Sequence, residues 1–167
     1  MRRCRTKGNM ILEAALWIPV LVLLVVSAIQ FGKITYVYYT LRKIVYSTAR
    51  YISVQQGTDF CNPATDQNIQ AAINFGITDQ STGQPIIDAL TADMLSITTE
   101  CADPNNPGAL GACDTSGCGG ALGAQKPDYV VVTIPAGYQV TFRIPLLSPI
   151  PISLFPSVAV PFGGTAL

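Results

Sequence analysis

A single carboxylate inside an apolar run is the group whose position points most clearly to chemistry. Glu13 is the only charged residue between Asn9 and Gly32. A basic head precedes this run and contains Arg2, Arg3, Arg5 and Lys7. A charged side chain costs about 2.5–3.5 kcal/mol at the centre of a membrane helix on insertion scales, and less near the interface. The position therefore predicts that Glu13 has a partner, since an unpaired charge there is unfavourable.

The basic head and the apolar run predict entry into a membrane in one of three ways. The run is an ordinary secretory signal cleaved near Val26-Ser27-Ala28, a plain anchor over Ala14–Gly32, or a retained helix whose leader is cut at Gly8. An ordinary signal has an apolar core of about 7–15 residues. This run is longer and its helical pattern continues past Lys33, which argues against the first interpretation.

A resemblance supports the third interpretation. A short basic leader, Gly8, and a glutamate five residues later at Glu13 look like the class III signal of type IV pilin-like proteins. Within that group, the chain resembles the TadE-like minor pilins of the tight-adherence (Tad, or Flp) pilus. The resemblance is carried by Glu13–Leu24, Gln30–Lys33 and Ser47–Tyr51. It implies that a prepilin peptidase cuts between Gly8 and Asn9, and that Glu13 acts in assembly.

The resemblance also implies a place and partners. The chain would be a single-pass protein of the inner membrane with its C-terminal domain outside the cytoplasm, either left there or incorporated in a pilus. Its partners would be the membrane, the prepilin peptidase and other pilin-like subunits in a hetero-oligomer. The alternative is an anchored or secreted extracytoplasmic binding domain that is not part of a filament.

Composition and charge favour a small tethered domain. Of 167 residues only 12% are charged, and the mean hydropathy is +0.38. Residues 1–50 hold eight of the ten Lys and Arg, whereas residues 51–167 hold nine of the ten acids. An acidic distal domain argues against nucleic-acid binding, which needs a basic surface. The domains are predicted as a leader over 1–8, a membrane and stem helix over 9–56, and a distal domain over 57–167.

Five cysteines bear on the compartment. Cys4 lies in the predicted leader and would be lost on processing. The disulfide candidates are the four distal cysteines, Cys61, Cys101, Cys113 and Cys118. An even number in a small exported domain favours disulfides, in any of three pairings. A four-cysteine zinc site is the competing interpretation, but tight C-x2-C pairs are missing. Disulfides would place the distal domain outside the cytoplasm.

The helical pattern predicts one long N-terminal helix, from about Ile11 to Gln56, with Gly57 as its stop. Pro19 is expected to kink or open it locally. Several tyrosines in its outer half suit either an interfacial belt or packing, namely Tyr36, Tyr38, Tyr39, Tyr46 and Tyr51.

The distal domain is predicted to complete an α+β fold with a β-hairpin or small antiparallel sheet. A helix capped at Thr65-Asp66 is expected over 67–75, ended by Gly76, with a second over 85–94, a strand over 95–100 and a loop over 102–124. Alternating residues predict a strand over 138–144. A second strand is expected over 129–134, joined to the first as a hairpin through Pro135-Ala136-Gly137. The proline-rich tail after Pro145 suits either a subunit contact or a cover for the hairpin.

Catalysis finds no support in the sequence. The chain has no histidine, so the commonest general base and metal ligand is missing. It contains no phosphate-binding loop, dinucleotide fingerprint or nucleophile elbow, and its acids lack calcium-loop spacing. The sequence predicts a structural protein with no cofactor, no metal and no catalytic residue.

Overall fold

The computed structural model describes residues 5–103, 106, 108–113, 126–143 and 148–166. The elements in chain order are α1 (Arg5–Ser53), β1 (Gln56–Thr58), α2 (Gln67–Ile77), a 3-10 turn (Ala92–Met94), β2 (Ser96–Ala102), β3 (Leu110–Ala112), β4 (Tyr129–Thr133), β5 (Tyr138–Phe142), β6 (Ile150–Leu154), β7 (Ser157–Pro161) and β8 (Thr165–Ala166). A long helix followed by small sheets confirms the predicted α+β class.

The long helix α1 begins before its predicted start and continues through Pro19. It ends at Ser53, so the predicted stop at Gly57 is wrong by a full turn. The Ser53 carbonyl accepts hydrogen bonds from the N–H groups of Gly163 (2.8 Å) and Gly164 (3.0 Å). A segment distant in sequence therefore caps the helix. Gly57 instead has a φ of 69° inside β1, a conformation that glycine adopts without steric cost.

The second helix, α2, follows its predicted start closely. Asp66 caps it by accepting a hydrogen bond from the Ile69 N–H group (2.8 Å), as short polar side chains do at helix N-termini. The predicted apolar face of Ile69, Ala72 and Ile73 is buried. The prediction that Gly76 ends the helix is wrong, because Gly76 lies inside α2 and is buried.

The helix predicted over 85–94 is absent. Thr78 and Pro85 form an antiparallel bridge, and the Asp79 N–H group donates to the Gln84 carbonyl (2.8 Å). These bonds close a turn between Ile77 and Ile86, which uses backbone groups that a helix would need. Ala89 further on has a φ of 62°, outside the helical region. Only the 3-10 turn remains helical in this segment.

The main sheet has the strand order β3-β2-β4-β7, with antiparallel neighbours. β4 lies inside the sheet, and its central residues Val130, Val131 and Val132 are buried. β2 confirms the strand predicted near 95–100. β3 falls within the predicted loop over 102–124, of which residues 104, 105, 107 and 114–124 lie outside the described part of the chain.

The two strands of the predicted hairpin exist, but they do not pair with each other. Both edges of β4 are occupied, by β2 and by β7, so β5 pairs with β6 instead. The chain leaves β4 through a turn closed by the Gly137 N–H group and the Ile134 carbonyl (3.0 Å), with Gly137 at a φ of 72°. Residues 144–147 lie outside the described part of the chain.

The proline-rich tail is built into sheets, which neither predicted role describes fully. β6 pairs with β5, β7 forms one edge of the main sheet, and β8 runs parallel to β1. Pro161 closes edge strand β7, a position where a missing N–H group is tolerated. Phe155 remains 63% exposed between β6 and β7.

The contacts divide the chain into two units. One combines Met1–Val37 with Gln139–Ile152; within it, the rings of Phe31 and Phe142 lie 5.7 Å apart between centroids. The other combines Tyr38–Tyr138 with Ser153–Leu167 and holds the main sheet, α2 and the last part of α1. We call this part of α1, Tyr38–Ser53, the stem.

Candidate assembly surface

The residues predicted to act in processing and assembly all lie in the first turns of α1. Gly8, Asn9 and Glu13 are helical because α1 begins at Arg5. Asn9 and Glu13 are four residues apart, so their backbones are about 6 Å apart along the axis. The Glu13 side chain is exposed, as are Leu12 and Leu16 beside it on the helix. The cleavage and pairing roles of these residues stay predictions.

The first half of α1 is an apolar surface that is largely exposed among the described residues. We call Leu12–Phe31 the apolar half. Its large side chains are exposed, including Trp17 (58%), Leu24 (62%) and Ile29 (65%). By length and composition alone, α1 can cross a membrane. An exposed apolar surface of this extent marks contact with a membrane or with another protein.

The stem has an inner face that is fully buried. Its members recur at helical spacing and are at most 1% exposed, namely Leu41, Ile44, Val45, Thr48, Ala49 and Ile52. Gly76 of α2 lies against this face. A Cβ atom at residue 76 would overlap the Thr48 hydroxyl and lie 3.3 Å from the Ile44 carbonyl oxygen. Glycine thus permits the close approach of the two helices.

The outer face of the stem is exposed and carries both aromatic rings and cations. We call Tyr39, Arg42, Lys43, Tyr46 and Arg50 the Tyr–cation face; all five are exposed. Tyr39, Arg42, Lys43, Tyr46 and Val158 of β7 line an open cleft of about 500 Å³. The sequence interpretation noted these residues singly and missed that they share one face. The i, i+3, i+4, i+7 spacing from Tyr39 was the available signal.

The tyrosines of α1 therefore divide between the two predicted roles. Tyr51 packs inside the protein, because its ring stacks on Phe75 with centroids 5.0 Å apart. Tyr39 is 64% exposed, so its ring suits contact with a membrane interface or a partner.

A disulfide joins two of the four predicted cysteines. Cys101 of β2 bonds to Cys113 just after β3, with Cα atoms 4.9 Å apart. Cys61 is also disulfide-bonded, and Cys118 lies outside the described residues. A disulfide sulfur cannot serve as a zinc thiolate, so this bonding weighs against the four-cysteine zinc interpretation. Within the described ranges, no group of three His, Cys, Asp or Glu residues is placed to hold a metal.

Several distal carboxylates have a lowered pKa because hydrogen bonds stabilise their charged form. The side chain of Asn62 and the backbone N–H group of Cys61 lower the pKa of Asp59. The side chain and backbone of Ser81 do the same for Asp79, and the Thr91 side chain does so for Asp93. These groups remain ionised at neutral pH and keep the domain acidic.

The other titratable group with a shifted pKa is Tyr138. Partial burial and the nearby Asp88 charge raise the pKa of its hydroxyl. That hydroxyl donates a 2.6 Å hydrogen bond to the Asp88 backbone carbonyl. This hydrogen bond joins segments that are 50 residues apart in sequence, which indicates a structural role.

The geometry as a whole defines a class: a small α+β domain, closed by disulfides, on one long apolar helix. Residues 8–50 match the family model described as TadE-like protein. The predicted resemblance to TadE-like proteins is thereby confirmed over that segment. This family is associated with the Tad pilus as a structural component, not as an enzyme. Neither the curated proteins nor the solved structures gave a match to the chain.

Proposed function

We propose that the protein is a minor pilin-like subunit that takes part in assembly of a Tad-type pilus for adhesion or secretion. The observation that carries this proposal is the segment that begins at Gly8. It matches TadE-like proteins, and it continues as a helix whose large apolar side chains are mostly exposed among the described residues. A helix of this kind needs lipid or neighbouring subunits to cover it.

Processing is the first part of the proposal. A prepilin peptidase cuts between Gly8 and Asn9, which removes the basic head and frees an amine at Asn9. The helix then remains in the inner membrane, with the distal domain on the oxidising side, where its disulfides are stable.

Glu13 supplies the assembly step. Its carboxylate is costly to bury in lipid without a partner. The new amine at Asn9 of a neighbouring subunit offers an opposite charge. A pair formed only between subunits favours assembly and fixes the axial register of one helix against the next. If Glu13 instead reaches the headgroups and does nothing more, its removal has no consequence for assembly.

N-terminal sequencing of the membrane-derived protein tests processing. We expect the mature chain to begin at Asn9, and Gly8→Leu to leave full-length precursor. Gly32→Leu is the matched control, because a Cβ atom at residue 32 has no neighbour within 4 Å, and it should be processed normally. A start at Ile29 would indicate an ordinary signal peptidase, and a start at Met1 an uncleaved anchor.

Co-purification with other pilin-like subunits tests assembly. We expect Glu13→Ala to keep cleavage and membrane insertion but to lose co-purification. Glu13→Gln should be partly defective, since it keeps hydrogen bonds and loses the charge. Leu16→Ala, one turn further on and also exposed, is the control and should co-purify. Normal assembly of Glu13→Ala would leave only an anchored domain outside any filament.

A further inference from the structure

The described residues leave the Tyr–cation face exposed, although it lies on the most firmly packed part of α1. The inner face of the stem is buried in the distal domain, so the outer face is held in a fixed orientation. Tyr39 is 64% exposed and Tyr46 is 47% exposed. Arg42, Lys43 and Arg50 are exposed between and beyond them. Tyrosine and arginine are enriched at the centres of protein interfaces.

Charge is strongly segregated along the chain. Residues 14–58 contain four cations and no acid, whereas residues 51–125 contain eight acids and no cation. The cations of the stem therefore have no carboxylate near them in sequence. The segment between α2 and β2 carries three exposed carboxylates, at Asp79, Asp88 and Asp93. The Tyr–cation face and the segment between α2 and β2 therefore carry exposed charges of opposite sign.

Position along the helix argues against a lipid headgroup as the ligand of this face. Tyr39 follows the apolar span, which ends at Gly32, by seven residues, and Arg50 follows it by eighteen. At a rise of about 1.5 Å per residue the face begins about 10 Å beyond the span and ends about 27 Å beyond it. The headgroup layer is only about 5–8 Å thick on each side. Most of the face therefore lies beyond the reach of lipid.

We propose that the Tyr–cation face binds the acidic segment between α2 and β2 of a second copy of this chain. The cleft beside Tyr39 and Tyr46, with Val158 on its wall, gives this contact an apolar part. Hydrogen bonds lower the pKa of Asp79 and Asp93 and so stabilise the charged form of these carboxylates in the opposing segment. Because the two surfaces differ, the contact is head-to-tail and can propagate. This contact rests on the proposed function only because a pilus-like assembly would bring copies of the chain together.

Self-association of the mature full-length chain in a neutral detergent, measured by analytical ultracentrifugation, tests the proposal. We expect association at low salt that weakens as salt is added, since exposed charges are screened. Arg42→Glu/Lys43→Glu should weaken association by at least about tenfold, because like charges would face each other. Lys43→Glu alone should weaken it less, and Arg143→Glu, at an exposed cation outside the stem, should leave it unchanged.

A mixing experiment makes the test specific. The variant Asp79→Lys/Asp88→Lys/Asp93→Lys should also fail to associate with itself. In a mixture with Arg42→Glu/Lys43→Glu, each acidic surface can meet a basic one, so association should return. Recovery in the mixture also shows that both variants are folded.

Three outcomes would overturn the inference: unchanged association of Arg42→Glu/Lys43→Glu, equal loss with Arg143→Glu, or association that requires added anionic lipid. The self-association test uses one purified chain. It can therefore contradict the Tyr–cation contact while the Glu13 co-purification result holds, and the Glu13 result can fail while self-association holds. The two proposals are therefore tested separately.

Discussion

The two halves of α1 differ in what covers their apolar side chains. Leu21 in the apolar half is 56% exposed, whereas Leu41 in the stem is fully buried. Both are leucines on one continuous helix. The stem finds its partner within the chain, so its sequence is constrained by packing. Most side chains of the apolar half are exposed among the described residues, so packing within the subunit constrains its sequence less.

The largest expected effect comes from shortening a stem side chain. Leu41→Ala should lower the free energy of unfolding by about 2–5 kcal/mol, because it leaves a cavity in a packed core. Leu21→Ala should change it by less than about 0.5 kcal/mol, as exposed sites do. Urea unfolding in a neutral detergent measures the change in free energy for both variants, with amide hydrogen exchange in β4 as the readout. Equal effects would contradict the difference between the halves.

The second effect should come from the disulfide that holds β3 to β2. The variant Cys101→Ala/Cys113→Ala loses the bond that joins two cysteines at a sequence separation of 12, and with it a covalently closed loop. Chain-entropy arguments give a loss of about 3 kcal/mol for such a loop. The stem packs on this domain, so hydrogen exchange should rise across the stem but not across the apolar half. A rise confined to β2 and β3 would show that the stem is stable without the domain.

The same cysteines give a mass readout. Alkylation without reduction should leave Cys61, Cys101, Cys113 and Cys118 unmodified. With Cys101 bonded to Cys113, peptide mapping should recover Cys61 linked to Cys118. Four alkylated thiols, or bound zinc, would contradict the oxidised domain.

A smaller effect is expected where the stem meets α2. Gly76→Ala should cost about 1–3 kcal/mol, because the new methyl group overpacks the contact with Thr48. Gly32→Ala in the apolar half meets no neighbour within 4 Å and is the matched control. Thr48→Ala should partly rescue Gly76→Ala, since the Thr48 hydroxyl is buried without a hydrogen-bond partner among the described residues. Lack of rescue would place the strain on the Ile44 carbonyl instead.

These contrasts also indicate which features a sequence can predict. Helix α1 and the start of α2 are encoded locally, by uninterrupted helical spacing and by the Asp66 cap. Strand β5 is encoded by alternation and β4 by a run of three valines, but their pairing is not encoded locally, because β2 and β7 take the edges of β4. The early end of α1 escaped prediction for the same reason: Gly163 and Gly164 cap Ser53 from more than a hundred residues away.

The candidate site divides in the same way. Gly8 and Glu13 can be proposed from the sequence, because their spacing alone resembles a processing signal, and their roles stay predictions. The Tyr–cation face was not proposed, because helical spacing does not say which face the domain covers. Burial of Leu41 and Ile44 on the opposite side supplies that information.

The smallest effect on the free energy of unfolding is expected at the exposed face of the stem, and a ring that packs inside the subunit gives the comparison. Tyr51→Ala should lower the free energy of unfolding by about 0.5–1.5 kcal/mol beyond the loss of buried area, because it removes the stacked contact with Phe75. Tyr46→Ala on the exposed face should change it by less than about 0.5 kcal/mol, yet weaken self-association. Thermal unfolding and ultracentrifugation of the same samples measure both quantities. If Tyr46→Ala lowered stability and left association unchanged, its ring would belong to the packing of the subunit, and the outer face would lose its assignment as a contact surface.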